Sequence, residues 1–361
     1  MKRVVTLDVL RGLAIFNIIL IHTLWWSGTS YISNPLFREL SLLFEVPLFF
    51  YLSGFAAQLQ TFDYKKFLFR FLKIYKNYLV FFLFFVLCLL FYETILNDFV
   101  ITLKLTFLDI KDWILFRKHP NYELAVAGMG TFWFLHIFIP VYLMVPVLFF
   151  IKKTKAAFIF LLFGLVILIS ENNFSAFRLT YYFHNLGFFI FYFFIFALGY
   201  FNLKIKSKKE LFLCFLFLLT TIFLIRGKEI FTTNFQEFKF PPQLLYLLYS
   251  LFSIFIAAYF LNREKKSQKS RQVLLTKFFQ YSGRNSLWIY FCQGISSSIV
   301  YQVLVLLKLF EINTLFTFLI CFGFNIIFCY FLVFLLIRFN NVIDQAFSFL
   351  RRQFHCLLRH K

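Results

Sequence analysis

The sequence predicts an all-α, polytopic integral membrane protein with about ten transmembrane helices and both termini in the cytoplasm. Of its 361 residues, 61% are hydrophobic and 24% are aromatic, and the mean hydropathy is +0.79. These values lie far from those of a soluble domain. Ten helices of about 20 residues each would use roughly 200 residues and leave mostly short loops. The composition therefore leaves no room for a separate soluble domain of ordinary size.

Ten apolar runs along the chain give this count of helices. They cover residues 9–28, 40–59, 78–96, 132–151, 156–170, 186–203, 211–225, 243–261, 287–309 and 315–337. The fifth run is short, so its ends are expected to extend into the flanking Lys155 and Glu171. We interpret the first run as a retained span and not as a signal peptide, because Arg11 and His22 interrupt it and no small-residue cleavage site follows.

The distribution of basic residues predicts the orientation. The formal net charge is +21, but the Lys and Arg residues gather in short loops between apolar runs, which argues against nucleic-acid binding. Of the 37 Lys and Arg residues, 27 fall at the N-terminus, in alternate loops or in the C-terminal tail. Because basic loops stay in the cytoplasm, both termini are predicted to lie inside.

Three segments outside the runs have a distinct character. Segment 97–131 is long, acidic and partly apolar, and it is predicted to include an interfacial helix on the outer side. Segment 232–242 is polar and ends in Phe-Pro-Pro, which stops any helix before the eighth span. Residues 339–361 alternate apolar residues with arginines and are predicted to form a basic amphipathic surface helix that anchors to anionic lipid. Residues 1–338 then form one transmembrane domain.

Two ionisable residues within the runs are the first candidates for chemistry, because such groups are costly inside a bilayer. His22 lies about 16 Å deeper than Arg11, near or beyond the midplane. Its imidazole can take a proton from a hydroxyl, or it can simply be satisfied by a neighbouring helix. Glu45 can pair with His22 and orient it, or it can pair with another span. The cysteines show no disulfide framework and no zinc-binding spacing, so no metal is expected.

Several segments together resemble the membrane-bound acyltransferase 3 family. The first span of that family carries an Arg, ten residues and a His, and Arg11 and His22 fit this spacing. The other matching segments occur in the family's order across nearly the whole chain: VPLFFYLSGF at 46–55, RFLK at 70–73, TFWFL at 131–135 and YSGRNSLWIY at 281–290. Within the segment 46–55, the Ser53-Gly54 pair is interpreted as a place where two helices approach closely.

The chain departs from the family pattern at three positions. Lys73 stands where a second Arg is usual, which keeps the charge but loses the planar guanidinium. Glu45 and Gln293 each stand where relatives often carry His. Gln293 would then hydrogen-bond the acceptor, or the acceptor itself would differ.

The resemblance implies transfer of an acyl group, usually acetyl, from cytoplasmic acyl-CoA to a carbohydrate hydroxyl at the cell surface or on a lipid carrier. It implies His22 as the base or acyl relay, with Glu45 beside it. It also implies that Arg11, Arg70 and Lys73 bind the CoA phosphates, a role that cationic side chains suit. Trp133, His136 and Gln293 are the candidates for contacting the sugar. The expected location is the plasma membrane, and the abundance of Phe, Lys, Ile and Asn is typical of an AT-rich bacterial genome.

Two other functions fit the same residues. A transporter or flippase for a lipid-linked sugar would use His22, Glu45 and the basic inner surface as a substrate path. A family member without catalytic activity would serve a sensory or scaffold role, which the departures at Lys73 and Gln293 favour. Dependence on acyl-CoA separates an enzyme from both.

Overall fold

The described part of the chain is helical, as predicted. The computed structural model describes residues 4–26, 35–60, 62–96, 129–152, 180–181, 184–227, 234–239, 242–263, 274–306 and 314–359. The helices are α1 (Val5–Trp26), α2 (Pro35–Ser41), α3 (Val46–Gln58), α4 (Tyr64–Leu96), α5 (Met129–Leu143), α6 (Val145–Lys152), α7 (Leu186–Tyr200), α8 (Lys208–Arg226), α9 (Leu244–Arg263), α10 (Leu274–Arg284), α11 (Ser286–Leu306) and α12 (Thr314–Arg359). Two short strands, β1 (Thr180–Tyr181) and β2 (His184–Asn185), pair antiparallel before α7.

Several helices are suited to a bilayer. Within the described ranges, five segments are long and apolar enough to cross it, and the bent pair α5–α6 would make a sixth. The five are Val5–Trp25, Arg38–Gln58, Tyr64–Cys88, Leu244–Arg263 and Leu315–Phe349. The chain is therefore a multi-pass membrane protein. The count of ten spans stays a prediction, since the run 156–170 lies outside the described residues, as do residues 97–128 of the predicted outer segment.

The predicted orientation can be tested at the basic connection between α7 and α8. The side chain of Lys204 is exposed there. In a variant that lacks the native cysteines, Lys204→Cys should react with a membrane-impermeant maleimide only after the cell is permeabilised. Reaction in intact cells would contradict the assignment of this connection, and with it both termini, to the cytoplasm.

Two spans predicted as single runs are broken where prolines interrupt the backbone. The second run divides into α2, a 3₁₀ turn (Leu42–Phe44) and α3, because Pro47 has no N–H and cannot continue a helix from the preceding turn. Glu45 lies at this break, outside regular helix. The fourth run bends by 40° between α5 and α6, just before Pro146. Breaks of this kind place backbone and side chains where a continuous helix would not.

Two helices extend well beyond their predicted spans. The third run was predicted to begin at Tyr78, but α4 begins at Tyr64 and has 33 residues, so it is about 50 Å long. The basic segment before the third run is therefore helical, since Lys and Arg are good helix formers. Likewise, the tail 339–361 is not a separate helix: α12 continues without a break to Arg359, over 46 residues. No Gly or Pro follows Gly323 to interrupt it.

The core holds two pairs of closely packed helices, and each contact depends on glycine. In the pair α3–α7, a Cβ at Gly54 would lie 1.9 Å from the backbone O of Phe196, and one at Gly199 would lie 2.0 Å from that of Tyr51. In the pair α1–α10, Gly12 meets the backbone of Phe279 in the same way. The interpretation of Ser53-Gly54 as a point of close approach is confirmed.

A methyl group at Gly199 should therefore force α3 and α7 apart. We expect Gly199→Ala to destabilise the folded protein by about 1–3 kcal/mol, the range for overpacked cores, measured as a lowered melting temperature in detergent. Gly323→Ala is the matched control, because nothing lies within 4 Å of a Cβ there. Equal melting temperatures for the two variants would show that the α3–α7 contact yields at no cost.

Candidate active site

His22 lies on α1 and is buried against α11. It is 9% exposed and lies 17 residues after the start of α1, about 25 Å along the helix from Val5. Its Nδ1 is in hydrogen-bond contact with the side-chain Oε1 of Gln293 on α11. Because an amide oxygen only accepts, Nδ1 carries the hydrogen and the ring lone pair stays on Nε2. This is the tautomer in which Nε2 can act as a base.

Gln293 thus contacts the histidine directly, whereas the sequence analysis assigned it to the acceptor. It is fully buried and lies one turn after Ile289, which is also fully buried on α11. A neutral amide orients the imidazole ring without adding a charge to a water-poor interior. Gln293 therefore supports His22, although relatives often carry a histidine at this position.

The carboxylate of Glu45 is bound by Lys239 and Tyr246. Its Oε2 lies 2.5 Å from Nζ of Lys239, and its Oε1 accepts a hydrogen bond of 2.5 Å from the hydroxyl of Tyr246 on α9. Both charged groups are buried, with 8% of the lysine side chain and 2% of the glutamate side chain exposed. Of the two roles considered for Glu45, pairing with another part of the protein is the one that these contacts support.

The ion pair nevertheless belongs to the surroundings of the histidine. The charge of Lys239 acts electrostatically on His22. The connection between α8 and α9 therefore brings an ammonium group to the end of α1 that is predicted to face outward. From the sequence, the segment 232–242 was predicted only to be a polar loop. The signal that could have identified Lys239 was its position on the side of the membrane that is predicted to be poor in basic residues.

Aromatic side chains surround the ion pair. Tyr192 on α7 lies near both Glu45 and Tyr246, and the ring of Trp133 on α5 lies 5.7 Å from that of Tyr192. Trp133 is buried and His136 is half-buried. Two of the three predicted sugar-contact residues, Trp133 and His136, therefore lie on the same helix, one turn apart, and Trp133 packs beside Tyr192, which lies near Glu45.

A second candidate region is a cleft at the end of the bundle that is predicted to be cytoplasmic. It is a small, partly open hollow, and it is lined by Ala57, Gln60, Phe62, Asp63, Phe67, Arg70, Tyr142, Val145 and Tyr200. The guanidinium of Arg70 lies close enough to the Tyr142 hydroxyl to act on it electrostatically, and the rings of Tyr142 and Phe67 stack with their centres 5.5 Å apart. The cleft thus combines a guanidinium with flat aromatic surfaces.

The other cations assigned to the donor differ in position. Lys73 is exposed on α4, three residues beyond Arg70, and Arg11 is half-buried on α1. Lys152, which the sequence analysis counted only among the orienting residues, places its Nζ 5.5 Å from the ring centre of Tyr200 in the cleft. The signal that could have singled out Lys152 was its position directly after the apolar run 132–151.

Asp63 directly precedes α4, the helix that carries Arg70, and caps its first turn. Its Oδ1 accepts a hydrogen bond from the backbone N of Lys66 at 3.2 Å, and this bond holds the pKa of the exposed carboxyl below its ordinary value. A lowered pKa means that the contribution to stability is present above the ordinary pKa of an aspartate and is lost as the pH falls through the lowered value. At neutral pH the cap therefore keeps the first turn of α4 in place.

The described residues contain no group of three or more His, Cys, Asp or Glu side chains suited to a metal ion.

Comparison with families of known proteins gives a match over most of the chain. A family model described as an acyltransferase domain, Acyl_transf_3, matches residues 4–334. No curated protein and no solved structure matches the chain.

Proposed function

Because the chain belongs to the acyltransferase 3 family, we propose that it transfers an acyl group, with acetyl as the usual case, from cytoplasmic acyl-CoA to a hydroxyl of a cell-surface or lipid-linked carbohydrate. The observation that carries this proposal is the buried contact between His22 and Gln293, which leaves Nε2 of the imidazole in the form of a base. The family model matches residues 4–334, a range that includes both His22 and Gln293.

His22 would act as a general base in direct transfer. Nε2 takes the proton of the acceptor hydroxyl as its oxygen attacks the thioester carbonyl carbon. The carbon–sulfur bond then breaks, and the departing CoA thiolate recovers the proton from the imidazolium. The amide oxygen of Gln293 keeps its hydrogen bond to Nδ1–H throughout, so it orients the ring and stabilises the positive charge that forms between the two steps.

The donor would enter at the cleft that contains Arg70. CoA carries several phosphate charges, which suit a guanidinium, and an adenine ring, which suits stacking on aromatic faces. The cleft offers both, with Arg70 beside Tyr142 and with Lys152 near Tyr200. Arg11, at the cytoplasmic part of α1, and Lys73 would add positive charge around this entrance.

The two neighbouring cations on α4 should differ in their effect on the donor. We expect Arg70→Gln to weaken acyl-CoA binding about 10-fold or more, since a lost charge-assisted contact costs about 1.5–3 kcal/mol. Lys73→Gln should weaken it less, because Lys73 is exposed, and Lys73→Arg should be tolerated. Binding would be measured by calorimetry in nanodiscs, with the exposed Lys65→Gln as the control. Equal and small effects for all three neutralising variants would show that these charges serve only orientation.

The acceptor would approach from the opposite end of the bundle. Trp133 and His136 can stack on and hydrogen-bond a sugar, and Lys239 brings a hydrogen-bond donor near His22. The expected location is the plasma membrane, where a cytoplasmic donor and a surface carbohydrate are both accessible.

The proposal is tested by the fate of the acyl group. The protein in nanodiscs should release free CoA from acetyl-CoA only when an acceptor is present, and cells that lack the protein should lose acetyl groups from their surface glycans in mass spectra. Transport of an unchanged lipid-linked sugar without release of CoA would instead identify a flippase. Absence of both activities would identify a non-catalytic family member.

A further inference from the structure

A buried network of polar side chains lies next to His22 and has no role in the function proposed above. Its centre is Asn325, which is fully buried on α12. The side-chain amide Nδ2 donates to Oγ1 of Thr23 and to Oγ of Ser297, each at 3.0 Å. The amide Oδ1 accepts a hydrogen bond of 2.6 Å from the hydroxyl of Ser296. One asparagine therefore joins α12 to both α1 and α11.

The hydrogen-bonding groups of this network are well matched. Both N–H groups of the Asn325 amide have an acceptor, and its oxygen has a donor. The hydroxyl of Thr23 donates in turn to the backbone O of Ile19 at 2.9 Å. All four side chains are buried, with at most 4% of any residue exposed. Such a network allows a single relative placement of the helices, because a shift would leave polar groups unsatisfied in an apolar interior.

The placement that the network fixes is the one that the catalytic contact needs. Thr23 follows His22 directly on α1, and Ser296 lies one turn after Gln293 on α11. The contact between His22 and Gln293 joins these same two helices. A rotation or slip of α1 against α11 would break it, and Asn325 holds each helix at a residue within one turn of that contact.

We propose that Asn325 is a positioning residue, which sets the orientation and tautomer of His22 by joining Thr23 to Ser296 and Ser297. This inference rests on the proposed function for its kinetic consequence, but not for its structural one. The hydrogen bonds of Asn325 go to Thr23, Ser296 and Ser297, so it acts on His22 through the two helices. The simpler role would be to hold three helices together, as interhelical hydrogen bonds in membranes do.

The kinetic test compares isosteric variants. Asn325→Leu should lower kcat about 10- to 100-fold, the effect of displacing a reacting group by about 1 Å, while KM for acetyl-CoA stays within about twofold of the wild type. Thr23→Val should lower kcat in the same direction, and Thr23→Ser, which keeps the hydroxyl, should restore it. The double variant Thr23→Val with Asn325→Leu should be no slower than Asn325→Leu alone, because each substitution breaks the same hydrogen bond between Thr23 and Asn325.

Asn262→Leu is the matched control. Nδ2 of Asn262 on α9 donates to the backbone O of Leu203 at 3.1 Å, so its loss also removes a hydrogen bond between separate segments, but far along the chain from His22. It should lower the melting temperature and leave kcat of the folded protein unchanged. If Asn325→Leu behaves in the same way, or if the effects of Thr23→Val and Asn325→Leu multiply, the positioning role is overturned.

A spectroscopic measurement decides the point without using activity. With ¹⁵N-labelled histidine in nanodiscs, the His22 signals, identified by their loss in His22→Ala, should show hydrogen on Nδ1. In Asn325→Leu they should shift towards a mixture of tautomers, and in Asn262→Leu they should not. Failure of the proposed function would appear as absence of acyl transfer in the wild type. Failure of the positioning role would appear as an unchanged His22 spectrum in Asn325→Leu.

Discussion

Replacing His22 with alanine should lower the rate of acyl transfer by about 10²–10⁴-fold, the contribution of a positioned general base. The nearby carboxylate of Glu45 cannot replace the imidazole, since it is bound by Lys239 and Tyr246. Membrane abundance and melting temperature should stay close to those of the wild type. The rate would be measured as acceptor-dependent release of CoA in nanodiscs.

Gln293→Leu provides the comparison for this result. It keeps the imidazole but removes the acceptor of Nδ1–H, so it should cost less than His22→Ala, about 10- to 100-fold. If His22→Ala transferred acetyl at the wild-type rate, the histidine would have no part in the reaction. If the order of the two variants were reversed, Gln293 would touch the substrate itself.

Breaking the buried ion pair should destabilise the fold more than any other substitution proposed above. Lys239→Met leaves the carboxylate of Glu45 buried without its counter-charge, and such a loss costs about 3–5 kcal/mol. Glu45→Gln removes the counter-charge that Lys239 has in this pair. Each variant should lower the melting temperature strongly in detergent.

The double variant Glu45→Gln with Lys239→Met separates the pair from its environment. No charge is then left buried, and the introduced amide can still accept the hydrogen bond from Tyr246, so most of the stability should return. Losses that simply add in the double variant would show that the two side chains do not interact. A small loss in each single variant would show that water reaches the pair.

Much of the fold follows from the apolar pattern, because a bilayer imposes the length of its helices. The predicted runs 186–203, 211–225 and 243–261 correspond to α7, α8 and α9 within a few residues. The break at Glu45 was missed although Pro47 was visible, because hydropathy does not register a missing N–H. The extension of α4 was missed because charged residues end an apolar run without ending a helix.

The candidate site was predictable residue by residue but not in its pairing. His22 and Glu45 stood out as ionisable residues within apolar runs, and Gln293 stood out as a departure from the family pattern, but Lys239 was missed. Which of them meet depends on helix packing across long stretches of chain: 271 residues separate His22 from Gln293, and 194 separate Glu45 from Lys239. Packing at that separation is set by features such as Gly54 and Gly199, whose partners no local pattern reveals.

The length of α4 has a consequence for how fast the donor arrives. The helix exceeds the bilayer core of about 30 Å by roughly 20 Å, the length of its first 13 residues. In the predicted orientation these turns extend into the cytoplasm, and Lys76 is joined there to Asp344 of α12. Their positive charges therefore project into solution, where they can attract a polyanion before contact. The association rate of acyl-CoA, more than its residence time, should then fall as salt shortens the screening length from about 8 Å at physiological ionic strength.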